Sequence, residues 1–253
     1  MKNTTHNTTL ETTGVGMNKT GIKTAPKLTE EMLSGGNAVP VEAADHEGSL
    51  SEIVALRKAY IGEADPIGTI PPPTTLKGMM AAGATALKGE SPSLLIDKMG
   101  ERLAYERSGV RLYDAFLVKC EAIGKNIDVA RVREIRAEEA RHMVLLLTTL
   151  ESIGADPTAQ TPSADASAVA TMGFIQVLND PRTTLEQCIE VMLAAELIDT
   201  AAWETLERFA MEAGMKEIAQ RFAEAGSREA EHLAFMKSWH QAIVLGEKQP
   251  TVQ

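Results

Sequence analysis

The sequence has few cysteines and no excess of basic charge. Its two cysteines, Cys120 and Cys188, are far apart and form no CxxC motif, so neither a disulfide framework nor a zinc or rubredoxin-type site is predicted. The lysines and arginines number 25 against 35 aspartates and glutamates, which gives a formal charge of -10. Because such a chain repels a polyanion, nucleic-acid partners are not expected.

Long apolar runs are missing as well. The first 30 residues contain no apolar run of signal-peptide length, and no stretch approaches the roughly 20 apolar residues that span a bilayer. We therefore expect a soluble, unexported protein with no membrane partner, and the scarcity of cysteine fits the reducing cytoplasm. Apolar residues still make up 44% of the chain, which is enough for a sizeable core.

The N-terminal part of the chain has little helical or strand periodicity. Residues 1–50 are rich in Thr, Asn, Gly and small side chains, and we predict a disordered tail because too little apolar surface offsets the entropy of ordering. Residues 51–92 are predicted to wrap the surface of the domain. Within them, residues 51–64 favour a short amphipathic helix, whereas the prolines at 66 and 71–73 exclude regular helix.

Four long helical segments follow over residues 93–246, and each ends at a glycine, as is typical of helix C-termini. Their predicted ranges are 93–123, 128–153, 184–213 and 215–245. Asp128 is a predicted N-cap, and Thr183 with Glu186 is a predicted capping box. A long connection of about thirty residues, with a small helix over 165–177, predicts a crossover between the second and third helices. The fold class is therefore all-α, a four-helix bundle.

Acidic residues interrupt the apolar seam of every helix. Alternating steps of three and four residues follow the face that lines a bundle core. In the middle of that face each helix carries a glutamate, and the second and fourth helices carry a histidine three residues later. These six candidate metal ligands are Glu106, Glu139, His142, Glu196, Glu229 and His232.

Four carboxylates in one core require a neutralising partner, because each desolvated ion costs several kcal/mol and mutual repulsion adds to that cost. Two divalent cations balance the charge of four glutamates, and two neutral imidazoles complete the coordination. Oxygen and imidazole donors suit iron and manganese. The alternative is a degenerate bundle that keeps the carboxylates as a hydrogen-bonded network, which requires protonated acids at neutral pH.

An internal repeat supports the same set of residues. Glu106 and Glu139 are 33 positions apart, as are Glu196 and Glu229, and the whole pattern recurs with an offset of 90. The same offset matches glycines, arginines and alanines around the acids. The two helical hairpins are therefore predicted to be repeats related by a pseudo-twofold axis.

The pattern of one glutamate followed by Glu-x-x-His, present twice, resembles the ligand pattern of the ferritin-like di-iron carboxylate superfamily. That superfamily includes bacterioferritins, rubrerythrins and manganese catalases, and the resemblance covers residues 93–245. It implies two iron ions, or manganese, with Glu106 and Glu196 as terminal ligands. It also implies that the glutamate of each Glu-x-x-His motif bridges the metals and that each histidine binds one.

The chain departs from two members of that superfamily. It lacks the four-cysteine module of rubrerythrins. Unlike cage-forming ferritins, it carries a long N-terminal extension over residues 1–92. Iron storage in a shell is therefore not expected, and a small homo-oligomer is predicted instead.

Three further residues of the seam are candidates for supporting roles. Asp199 lies one turn beyond Glu196 and is a candidate acceptor for the outer ring nitrogen of a ligand histidine, with a cap or solvent contact as the alternative. Tyr113 and Trp203 each follow a ligand glutamate by seven residues, and their side chains tilt back toward it. Both are candidates for electron relay or for a hydrogen bond to a bound oxygen species, with core packing as the alternative.

These observations predict metal redox chemistry, namely oxidation of ferrous iron or reduction of peroxide or oxygen. Two metals supply two electrons to one O–O unit, which a single metal does not. The choice of substrate rests on the resemblance alone. The alternative is a non-catalytic metal-binding or stress-associated helical protein with a structural or degenerate site.

Overall fold

A computed structural model describes residues 30, 50–64, 70, 92–123 and 127–246. The chain divides into two compact units, Met1–Ala64 and Asp65–Gln253. Every regular element of the described residues is a helix, which confirms the all-α prediction. Nearly all of the predicted tail, and most of the extension predicted to wrap the domain, lie outside the described residues.

One helix, α1, spans Leu50–Glu63 in the first unit, in agreement with the helix predicted over residues 51–64. Its apolar side chains, such as Ile53 and Tyr60, are exposed. Local preference therefore accounts for this helix better than burial does, because its sequence is rich in strong helix formers.

The described residues of the second unit form five helices. They are α2 over Pro92–Ile123, α3 over Val129–Ser152, α4 over Pro162–Asn179, α5 over Leu185–Glu212 and α6 over Lys216–Leu245. The four long ones agree with the predicted segments to within a few residues, and α4 is longer than the small helix predicted over 165–177. None of the described helices combines the length and apolar character needed to cross a membrane.

Side chains and glycines at the helix ends explain these boundaries. Asp128 caps α3, as predicted, by accepting a hydrogen bond from the backbone N–H of Arg131. Glycines 154, 214 and 246 follow α3, α5 and α6 with φ of 81°, 71° and 67°, a conformation that other residues rarely adopt. The corresponding glycine at position 124 lies outside the described residues.

The predicted capping box of α5 is wrong by one residue. Thr184 and Gln187 form it, with each side chain accepting from the other residue's backbone N–H. The hydroxyl of Thr183 is occupied elsewhere, since it donates toward the carbonyls of Val177 and Asp180 at 2.8 Å. Two adjacent threonines offered the same local signal, and the contact with the end of α4 decides between them.

Two apolar clusters fill the interior of the second unit. The first cluster draws on the C-terminal halves of α2 and α6 and the N-terminal halves of α3 and α5; it includes Tyr113, Phe116, Ile135, Met192 and Trp239. The second cluster draws on the opposite halves; it includes Met99, Leu103, Leu146, Trp203 and Phe222. The polar residues of the seam lie in a layer between the two.

This division fixes the directions of the helices. Helices α2 and α6 run one way, and α3 and α5 run the other. Contacts between α2 and α3, α3 and α6, α6 and α5, and α5 and α2 close a ring around the polar layer. Since α3 and α5 are parallel, the chain between them must return along the length of the unit.

Helix α4 makes that return along α2. At its start, the carboxylate of Asp97 on α2 accepts hydrogen bonds from the backbone N–H and the hydroxyl of Ser163, at 2.9 and 2.6 Å. At its far end, the ammonium group of Lys119 on α2 donates to the carbonyl of Asp180 at 2.6 Å. Helix α2 is thus packed against three helices, α3, α4 and α5.

Candidate metal centre

All six predicted ligands are buried in the polar layer. Each side chain comes from the middle of one of the four long helices, where the seam turns toward the interior. The least buried of them, His142, has 6% of its surface exposed, and His232 has none. Ionisable groups are almost never this buried unless they are paired or bind a cation.

The ligand atoms of these residues converge on a common space. In three overlapping sets, one donor atom from each member lies within 4.8 Å of the others. The sets are Glu139, Glu196, Glu229 and His232; then Glu106, His142 and Glu229; and then Glu106, Glu139, Asp199 and Glu229. Because Glu229 belongs to all three sets, the sets overlap at one carboxylate.

Both histidines turn their Nδ1 atoms toward Glu229. His232 Nδ1 lies 3.1 Å from Glu229 Oε2 and 3.3 Å from Glu139 Oε1. His142 Nδ1 is in close contact with Glu229 Oε1, although the two atoms are out of line for a hydrogen bond. The two imidazole rings lie 6.2 Å apart, measured between centroids. One carboxylate therefore stands between two imidazoles, as a bridging ligand would.

Each of the two predicted aromatic residues donates to a glutamate of the other hairpin. Trp203 Nε1 on α5 donates to Glu106 Oε1 on α2 at 2.8 Å. Tyr113 on α2 donates a short hydrogen bond to Glu196 Oε1 on α5. The 90-residue offset relates the two aromatic positions to each other, so these hydrogen bonds are themselves a repeated feature.

The seam pattern did not predict Arg102, a buried arginine of the layer. Its side chain is 2% exposed, with Nε at 3.2 Å from Glu106 Oε1 and Nη1 at 3.3 Å from Asp199 Oδ1. Its guanidinium also stacks on the ring of Tyr105 at 4.0 Å. The structure thus places Asp199 against an arginine, whereas we predicted a histidine nitrogen as its partner. The available signal was an arginine four residues before a buried glutamate on the same helix.

The seam did not predict Glu138 either, and this residue contacts the candidate ligand His232 from outside. Its Oε2 lies 2.7 Å from His232 Nε2, the ring nitrogen that faces away from the other carboxylates. Its other oxygen is 3.3 Å from Arg141 Nη2. The signal in the sequence was the Glu138-Glu139 pair, in which only the second glutamate falls on the seam.

Gly109 gives the Glu139 side chain the space it occupies. A Cβ atom at position 109 would lie 2.5 Å from Glu139 Oε2, closer than real Cβ atoms approach other atoms. Glycine at this point of α2 costs helix stability relative to alanine, by about 1 kcal/mol. Its presence is explained by the close approach of the carboxylate.

Burial makes the ionised form of three glutamates unfavourable. It raises the pKa of Glu106, Glu139 and Glu196 well above the usual range, and neighbouring carboxylates raise these pKa values further. Burial also raises the pKa of Asp199, to about 6, although Arg102 opposes that shift. A nearby cation would reverse these shifts, since it favours the charged form.

Glu229 and His232 behave as an ion pair. Burial opposes charge on both groups, but the close contacts and charge interactions with His142 and His232 lower the pKa of Glu229 to about 2. Contact with Glu229 in turn raises the pKa of His232 to about 9 against the effect of burial. Without a cation, the proton on His232 supplies part of the positive charge that the cluster needs.

Several buried atoms of the layer have no hydrogen-bond partner in the described part of the chain. The candidate ligands contribute Glu106 Oε2, Glu139 Oε1, His142 Nδ1, Glu196 Oε2 and Glu229 Oε1. Unpaired buried polar atoms are rare in folded proteins, and each costs about 1–3 kcal/mol. Four of the five atoms are carboxylate oxygens that lie close together without donors. A bound cation would satisfy these oxygens.

A pocket of about 570 Å³ lies over the layer, between α3 and α6. His142 belongs to its lining, together with Glu138, Arg141, Arg228 and Glu231. The pocket therefore gives the outer side of His142 access to solvent, whereas His232 is fully buried.

The chain was compared with models of protein families, with curated proteins and with solved structures, and none of them matched.

Proposed function

We propose that this chain binds two divalent iron or manganese ions between the six predicted ligands and uses them in redox chemistry of ferrous iron, oxygen or peroxide. The observation that carries the proposal is the set of unpaired, buried carboxylate oxygens in the layer. A hydrogen-bonded network would instead need protonated carboxyl groups that donate to their neighbours, as Glu106 and Glu139 are placed to do.

The charges of the layer fit two divalent cations. Asp199 and Arg102 form a pair and balance each other. The four glutamates then remain, and two divalent cations neutralise them while both imidazoles stay uncharged. Carboxylate oxygens and imidazole nitrogens are donors that iron and manganese accept.

The overlapping sets of donor atoms support two adjacent positions. Glu106 and His142, with Glu229, would hold one ion. Glu196 and His232, with Glu139 and Glu229, would hold the other. The helix directions and the long return through α4 support the resemblance to a ferritin-like four-helix bundle, in which such centres lie between the helices.

The chain's own residues prepare the site for this chemistry. Two bound metals would supply two electrons to one O–O unit. Tyr113 and Trp203 hold the terminal glutamates by one oxygen each and leave the second oxygen free for a metal. The two apolar clusters cover both ends of the layer, and the pocket lined by His142 would let small solutes approach it from one side.

Metal content and turnover test the proposal. Protein purified without chelators should contain two iron or manganese ions per chain, and it should oxidise ferrous iron or consume peroxide when an apo sample does not. Glu139→Gln keeps the size of the side chain but deletes one charge, so it should lose metal and activity. Glu134→Gln is the matched control, because that glutamate lies on the same helix with 67% of its side chain exposed.

Two results would favour the non-catalytic alternative. Stoichiometric metal without turnover would indicate a structural site. If Glu139→Gln kept two metals and its apo form lost stability, the carboxylates would be a hydrogen-bonded network, and the di-metal proposal would have to be abandoned. The Arg102–Asp199 pair and the contacts of His232 with Glu229 and Glu138 already resemble parts of such a network.

A further inference from the structure

The two hairpins carry the same ligands but differ in what supports the histidines. Glu138 on the first hairpin corresponds, under the 90-residue offset, to Arg228 on the second. Glu138 contacts His232. If the hairpins were fully symmetric, residue 228 would contact His142 in the same way, but an arginine cannot accept a hydrogen bond from a ring N–H.

His232 has a carboxylate behind its ring. Its outer nitrogen, Nε2, donates to the carboxylate of Glu138 at 2.7 Å, which leaves Nδ1 facing Glu139 and Glu229. A carboxylate behind an imidazole fixes the tautomer and the ring orientation and makes the ring a stronger electron donor. The second oxygen of Glu138 lies 3.3 Å from Arg141 Nη2.

His142 lacks that support. In the part of the chain that the structure describes, Glu229 is its one ionic contact, and the guanidinium of Arg228 is paired with Glu231 at 2.9 Å. The ring also borders the pocket between α3 and α6. Its position is therefore both less well supported and closer to solvent.

The terminal glutamates at the two positions also have different partners, and this difference again favours stronger metal binding at Glu196. Glu106 Oε1 receives Trp203 Nε1 and also lies 3.2 Å from the positively charged Arg102. Glu196 Oε1 receives the uncharged hydroxyl of Tyr113. A carboxylate shared with a guanidinium donates less charge to a metal, so the position at Glu106 and His142 is again the weaker one.

We infer that the two metal positions are unequal: the position at Glu196 and His232 fills first and binds tightly, because Glu138 supports His232, and the position at Glu106 and His142 fills second and exchanges through the pocket. This inference rests on the proposed function. It makes Glu138 a positioning residue that acts through His232.

A titration of the apo protein with Mn²⁺ alone, followed by the EPR signal of the free ion, tests the inference. The wild-type chain should bind one ion tightly and a second more weakly. Glu138→Gln should weaken the tight class by about 10- to 100-fold and leave the weak class unchanged. Glu231→Gln is the matched control, since it removes the same charge from the same pocket and should change neither class.

Two further variants assign the classes to positions. His142→Ala should remove the weak class while one tightly bound ion remains. Arg228→Glu places a carboxylate behind His142 and should strengthen the weak class, which a merely structural role of these positions would not produce. A chelator added to the loaded wild-type protein should remove one ion quickly and the other slowly.

The outcomes separate the two proposals. Two ions bound with equal affinity, or a Glu138→Gln variant that weakens both classes alike or neither, would overturn the inequality while the di-metal function stood. Absence of Mn²⁺ binding to the wild-type chain would instead overturn the proposed function and this inference with it.

Discussion

Glu106 and Glu196 each have one oxygen that accepts a hydrogen bond from an aromatic side chain and one without a hydrogen-bond partner among the described residues. The sequence predicted that Tyr113 and Trp203 tilt back toward the glutamate of their own helix. In the structure each ring does point back toward the polar layer. The side chains are long, however, so their donor groups reach across the core and bind a glutamate of the facing helix. The position of a residue along one helix does not predict which residue of another helix a long side chain contacts.

Replacing Gly109 by alanine should disturb Glu139 and weaken metal binding. The added methyl group would lie 2.5 Å from Glu139 Oε2, so the carboxylate would have to move away from its present place. We expect loss of the paired site in a Mn²⁺ titration, with little gain in the free energy of unfolding despite the better helix propensity of alanine.

Gly173→Ala is the control for this change. Gly173 lies within α4, and no atom stands within 4 Å of the position that its Cβ would take. This variant should keep two metals and gain up to about 1 kcal/mol of stability, as measured by urea unfolding. If Gly109→Ala bound two ions with unchanged affinity, the close packing of Glu139 against α2 would have no functional meaning.

The sequence predicts those residues of the candidate site that lie on the apolar seam of a helix. The six ligand candidates obey the steps of three and four, and the structure brings all of them together; their role as ligands stays a prediction. Arg102 and Glu138 lie one residue to the side of the seam, next to Leu103 and Glu139. Their partners belong to other helices, so only the packed structure reveals them.

At the scale of the elements, α2 differs most from its predicted form. The seam predicts one narrow buried stripe, but α2 also buries Arg102, Tyr105, Leu112 and Phe116. The reason is that α4 packs on α2 in addition to α3 and α5. The periodicity of the sequence did not predict the path of the long connection. This path determines how wide the buried stripe of α2 is.

Asp97 should matter for the docking of α4. Its carboxylate is nearly buried and accepts two hydrogen bonds from Ser163 at the start of that helix. Asp97→Ala leaves both donors unpaired, so we expect a loss of about 1–3 kcal/mol in the free energy of unfolding. Urea denaturation followed by circular dichroism measures the change.

Asp114→Ala is the matched control on the same helix. Asp114 is exposed and forms a surface ion pair with Arg136 at 2.9 Å, and such pairs contribute at most about 1 kcal/mol. A loss at Asp97 no larger than the loss at Asp114 would mean that α4 is held by its apolar contacts alone.

For the whole molecule, the repeat and the connection lengths predicted more than any single motif. Two short connections and one long one predict antiparallel pairs joined by a return, and the two apolar clusters have the helix directions that this requires. The departures from symmetry, such as Arg102 opposite Met192 in the repeat, were not predicted. A repeat indicates what two halves share, whereas their differences depend on contacts across the core.

Without metal, the stability of the chain should fall as the pH rises from about 5 to about 9. Burial raises the pKa of Glu106, Glu139 and Glu196 above the usual 4.5, so above 4.5 the unfolded chain releases protons that the folded chain retains. The pKa of His232 rises from 6.5 to about 9, so its contribution is complete below 6.5 and lost as the pH approaches 9. Both effects have the same sign. Urea unfolding of the apo protein across this range measures the slope.

Bound metal should reverse this trend in part. Divalent cations bind the ionised carboxylates and must displace protons at low pH, so the increment in unfolding free energy from Mn²⁺ should grow as the pH rises. This increment is about 2.7 kcal/mol for one site at a hundredfold excess over Kd.

Glu139→Gln deletes one of the acids whose pKa is raised, so its apo form should be more stable than wild type at about pH 8, with a flatter slope of stability against pH. Glu134→Gln, which changes an exposed carboxylate, should follow wild type. An apo protein whose stability climbed with pH over the same range would mean that the buried acids are ionised and paired within the chain, leaving no charge for two cations to neutralise.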